Sequence, residues 1–183
     1  MSVQPNKARL RTLLQGLKQN VDIGAESRLG MGGGHLNTVV LSGGGTTTLT
    51  AANSGATCIF DTAATSNFTL PAPELGMRFT FLSVITATGD HVIQSATNDH
   101  GFLGGVTFTQ LTSTAADQCD SFSAATDGNN DFITMNGSTT GGIAGSFLHV
   151  VAILDSTAAK CWAVHGNIIG TGNTITPFGD AQI

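Results

Sequence analysis

Cys161 and His165 are the residues whose types and spacing come nearest to chemistry. They stand four apart in KCWAVHGNII, where β-branched and apolar residues predict a strand. Period-two alternation then places both on one face, opposite Trp162, Val164 and Ile168. His149 can join that face from a neighbouring strand, so a zinc centre is the chemistry to weigh. Four residues of strand span roughly 13 Å, too far for two ligands at ~2.2 Å from one metal unless a bulge intervenes. No metal is therefore expected, and no cofactor.

Other constellations are thinner. Asp127, Asn129 and Asp131 alternate in DGNND like the start of a calcium loop, but Phe132 stands where the invariant glycine belongs and no Glu follows at the twelfth position. A hairpin turn explains the run better. Glu26 and Glu74 are the only glutamates, which disfavours a pair of carboxylates flanking a glycosidic bond. The histidines His35, His91, His100, His149 and His165 have no nucleophile placed beside them. The glycine-rich runs GMGGGH and LSGGG lack the Gly-Lys-Ser/Thr that completes a phosphate-binding loop. The sequence does not read as that of an enzyme.

The elements that position these residues divide the chain in two. Residues 1–30 read as an arm. Leu10, Leu13, Leu14 and Leu17 recur at helical spacing and form one stripe, while Lys7, Arg9, Arg11 and Lys18 supply cations. Such a helix either packs on its own body or docks into a groove on a partner, and the glycine density between residues 21 and 45 suits a hinge. Residues 31–183 read as a body of about ten strands at roughly ten-residue spacing, which predicts an all-β, antiparallel sandwich or jelly roll. In GMRFTFLSVIT, Met77, Phe79 and Phe81 share the buried face and Arg78 and Thr80 the other. In SFLHVVAILD both faces are apolar, so Phe147, His149, Val151 and Ile153 are expected at a subunit interface.

Charge sharpens the division. Residues 1–30 hold five basic and two acidic side chains and the rest hold two basic and ten acidic, +3 against −8, giving the net −5. An acidic body repels nucleic acid. Charged residues make up 10%, far below the usual quarter, so the surface is covered by Thr, Ser, Asn and Gly and is expected to meet other subunits. No run approaches the ~18 apolar residues of a membrane span. Three cysteines, an odd number, and no apolar leader in MSVQPNKARLRTLLQG suggest assembly in a reducing cytoplasm.

Two blocks, LTAANSGATCIFDTAATSNFTLPAPELGMRFTFLSV and CWAVHGNIIGTGNTITPF, resemble structural proteins of tailed bacteriophages, in particular capsid decoration or cement proteins with a free N-terminal arm. The resemblance implies a homotrimer on the outer capsid surface of the virion, assembled in the host cytoplasm and clamping adjacent major capsid proteins. Similar domains occur in head spikes and tail fibres that bind host glycans or receptors. On that alternative, Phe102 and Phe178 are the aromatic residues expected on exposed loops.

Overall fold

A computed structural model describes residues 39–111, 119–125, 130–157 and 159–180. The expected arm and hinge, with Lys7, Arg9, Leu10, Arg11, Leu13, Leu14, Leu17 and Lys18, lie outside the described residues, as do Asp127 and Asn129.

Twelve strands form where β-branched and aromatic residues alternate: β1 (Val39–Leu41), β2 (Gly45–Thr48), β3 (Thr57–Phe60), β4 (Ser66–Thr69), β5 (Arg78–Ser83), β6 (His91–Gln94), β7 (Gly101–Gln110), β8 (Cys119–Ser123), β9 (Phe132–Met135), β10 (Phe147–Ala152), β11 (Lys160–Gly170) and β12 (Phe178–Gly179). Among the described residues the sole helical element is a 3₁₀ turn at Ala51–Asn53. Every strand expected from Thr46 onward is present, and β12 is an addition.

The pairing differs from expectation. The strands make a seven-stranded sheet in the order β1-β3-β5-β10-β11-β7-β8 and a five-stranded sheet in the order β12-β9-β6-β4-β2. From β1 to β6 the chain alternates between the two sheets. Two successive crossings restore its direction, so β1, β3 and β5 pair in parallel, as do β2, β4 and β6. The long β7 and β11 are also parallel. The expected antiparallel arrangement is thus corrected to two mixed sheets. Turns such as the PAPELG segment before β5 carry the chain between sheets instead of folding it back on its neighbour.

Inward residues of both sheets build one core, in which Trp162, Phe60, Phe68, Phe79, Phe81, Phe102 and Phe108 are fully buried. Phe68 of β4 touches Phe60 of β3 and Phe81 of β5, with ring centroids 5.0 and 5.5 Å apart, and so joins the sheets. Each such burial stabilises the fold by roughly 1.5–3 kcal/mol. Met77, Phe79 and Phe81 are buried while Arg78 is exposed, as the alternation predicts. Phe102 and Phe178 belong to this core as well. The expectation that they sit on exposed loops is corrected: each lies in a strand at an inward register position.

Candidate binding face on the seven-stranded sheet

Strand β10 runs between β5 and β11 at the middle of the seven-stranded sheet. Leu148, Val150 and Ala152 point into the core, whereas Phe147 is 39% exposed and His149, Val151 and Ile153 are half-buried. The two-faced apolar character of SFLHVVAILD therefore has one half explained by the core. The other half lies on an outward surface.

Register shows what surrounds it. Leu41 of β1 pairs with Ile59 of β3, Ile59 with Leu82 of β5, and Leu82 with Phe147 of β10. Directly opposed residues share a sheet face, so these four make one apolar row across four strands. Leu41 is 55% exposed, and Ile59 and Leu82 are half-buried. A second row, displaced by two residues, reads Val39, Thr57, Thr80, His149, His165 and Gly105. A third includes Arg78, Val151, Ala163 and Leu103. Strands β1, β3, β5 and β10 contribute one formal charge to this face, Arg78.

The cysteine–histidine pair does not form. Between Lys160 and Trp162 the pairing of β11 with β7 slips by one residue, leaving Cys161 as the extra residue of a bulge. Cys161 is consequently buried beside Trp162, its thiol donating to the Asp155 carbonyl oxygen at 3.3 Å, while His165 stays exposed on the outward face. The bulge turns the two side chains away from each other instead of shortening the gap.

His149, in contrast, does join His165. They are directly opposed in the antiparallel β10–β11 pair, and their ring centroids stand 5.1 Å apart. The Nδ1 of His149 lies 3.0 Å from the Thr80 hydroxyl on β5, and Phe147 packs edge-on against the ring at 5.6 Å. Toward β7 the surface dips. Gly105, opposite His165, has no side chain, and a Cβ there would lie 2.5 Å from the Phe122 carbonyl oxygen of β8. The result is a groove of about 940 Å³ bordered by Phe147, His165, Asn167, Thr107, Ser121 and Ser123. Thr109 donates to Asn167 Oδ1 at 2.9 Å and so fixes that amide.

Chemically, this face offers apolar contact, hydroxyls, an amide and imidazoles. Asp131, at the end of the DGNND run, is buried, and no group of three or more His, Cys, Asp or Glu side chains gathers as a metal cage among the described residues. The apolar row escaped the sequence reading because it depends on the parallel pairing of β1, β3 and β5, and the Thr80 contact because it depends on β5 lying beside β10, about seventy residues away in the chain. The signal for the imidazole pair was present in the alternation of both strands. No helix among the described residues is long and apolar enough to cross a membrane. Comparison with protein-family models, with curated proteins and with solved structures returned no match.

Proposed function

We propose that this chain is a virion structural protein, a decoration or cement protein that binds the outside of a tailed-phage head and braces adjacent major capsid proteins. The observation that carries the reading is the outward row Leu41, Ile59, Leu82 and Phe147 with one neighbouring cation. A contiguous apolar strip on a sheet face suits a permanent contact with another subunit. The two phage-like blocks and the cationic, leucine-striped N-terminal sequence agree with it, as does a β-sandwich body whose sheets meet through Phe60, Phe68 and Phe81. The parallel strand pairs set this body apart from a jelly roll with antiparallel ladders. Burial of apolar area supplies affinity, and the arm's cations supply orientation and capture rate. A homotrimer presents three arms from one body, and Phe147, His149, Val151 and Ile153 serve as the contact between copies.

A second reading, a spike or fibre domain that binds a host glycan, is favoured by the groove with Phe147, His165, Asn167 and its hydroxyls. Such a shallow, partly apolar site with a few polar groups suits a small ligand. One experiment separates the two. Heads purified without this protein are mixed with the full chain and with a chain lacking residues 1–20, then sedimented and imaged. Saturable coating by the full chain, lost on the deletion, is expected. Uncoated heads, together with retention of the body on a glycan array, would replace the first reading with the second.

A further inference from the structure

We propose that His149 and His165 are a two-imidazole binding site for a divalent transition metal of the zinc, nickel and copper class, on the outward face of the seven-stranded sheet. Both ligands come from one chain, and because the proposed contact between copies includes His149, the metal and that contact compete for the same ring.

Position comes first. The two histidines face each other across the antiparallel β10–β11 pair, where directly opposed Cβ atoms stand ~5 Å apart and side chains leave the sheet in the same direction. A metal held by two nitrogens at ~2.1 Å in tetrahedral geometry needs those nitrogens roughly 3.4 Å apart. Rings with centroids 5.1 Å apart and inclined by 35° reach that separation with a turn of the exposed His165 ring.

The supporting contacts point the same way. His149 Nδ1 is engaged by the Thr80 hydroxyl at 3.0 Å, which leaves Nε2 as the ligating atom. With the Nδ1 proton given to Thr80, the ring keeps a lone pair on Nε2, the arrangement in which a neighbouring acceptor fixes a ligand's tautomer and orientation. Phe147 bears on the same ring edge-on at 5.6 Å. One ligand is thus held in place while the other is free to adjust. The groove bordered by His165 admits the water molecules that complete the coordination sphere.

Ligand type selects the metal. Two imidazoles without a carboxylate favour zinc, nickel and copper over calcium and magnesium, which require oxygen ligands. The other described histidines are not competitors, because His91 and His100 are buried.

The test is isothermal titration of the full-length, untagged chain with zinc chloride at neutral pH, repeated with nickel chloride. Saturable binding is expected, weakened at least tenfold in His165→Ala and in His149→Ala, and about threefold in Thr80→Val, which loses only the orienting hydroxyl. His165 is exposed, so its replacement leaves the core intact, and unchanged far-ultraviolet dichroism verifies this. His35→Gln should bind like the parent, and magnesium should not compete. Absence of zinc binding up to millimolar concentration, equal binding by the His149→Ala/His165→Ala double variant, or a loss that follows His35 instead would overturn the proposal.

Discussion

Individual side chains in the core are tuned against charge. Burial pushes the Cys58 thiol up to about 12, which keeps it protonated and unreactive at neutral pH; Cys119 is the exposed thiol of the three. His91 is fully buried and stacked on Phe60 with centroids 4.4 Å apart and planes 5° from parallel. Its Nε2 donates to the Thr62 carbonyl oxygen at 2.8 Å. Burial disfavours the imidazolium and holds His91 below the usual histidine pKa of 6.5, outweighing the raising effects of that hydrogen bond and of nearby Asp90. The sign follows from proton counts. Once pH drops through 6.5 the unfolded chain takes up a proton at this position that the folded chain refuses, so stability falls with pH until the depressed folded value is reached. His91→Gln retains an amide donor for Thr62 and removes the titration. Urea unfolding at pH 7.5 and pH 5.5 should show the parent losing up to ~1.4 kcal/mol more than the variant over that unit below 6.5. Equal losses would mean that His91 contributes nothing to acid sensitivity.

Elements depend on tight approach between backbones as much as on apolar pattern. In the loop joining β9 to β10, Gly137 has φ +78°, and a Cβ there would lie 2.0 Å from the Ala87 carbonyl oxygen. Gly137→Ala should cost the left-handed penalty of about 1–2 kcal/mol plus the work of displacing a backbone carbonyl. Thermal unfolding by calorimetry is expected to show a drop well beyond that of a surface substitution, and an unchanged midpoint would refute the close approach. Nothing in the sequence around Asn136–Ser138 announces that contact, since it joins segments about fifty residues apart. Strand positions were legible because alternation is local: Phe79 and Phe81 declared the inner face of β5, whereas β10, apolar on both faces, was legible as a strand without its alternation declaring Leu148 and Val150 the inner side. Pairing was not legible, because evenly spaced strands and short turns fit hairpins and sheet-to-sheet crossings equally well. The same limit hid the bulge at Cys161, so the alternation placed that cysteine on the face of His165, where, of Cys161 and His149, only His149 is found. The row Leu41, Ile59, Leu82 and Phe147 exists only once β1, β3 and β5 run in parallel and β10 closes against them.

At the scale of the whole molecule, the two faces of the seven-stranded sheet have unequal solutions to the same problem. The inner face buries its aromatics against the five-stranded sheet, while the outer face carries Leu41, Phe147, Leu103 and Val39 at 38–56% exposure with Arg78 as the charge nearest β10. A stable contact between proteins covers about 800 Å² on each partner, with an apolar centre, and this face has the required centre. If copies of the chain associate through it, a carboxylate placed in the row must be desolvated on assembly and finds few cations to meet. Leu82→Glu and Phe147→Glu put that charge on half-buried and exposed positions without opening the core, so the monomer should fold with a similar melting temperature. Sedimentation velocity over a micromolar concentration series is expected to show the parent as an oligomer and each variant dissociating at concentrations at least tenfold higher, a shift of about 1.4 kcal/mol or more. Head coating should weaken in the same variants, because a subunit that no longer assembles presents one arm instead of several and forfeits the gain from simultaneous attachment. A parent chain that sediments as a monomer throughout the series would remove self-association as the reason for this face, leaving its apolar row to be explained by a different partner.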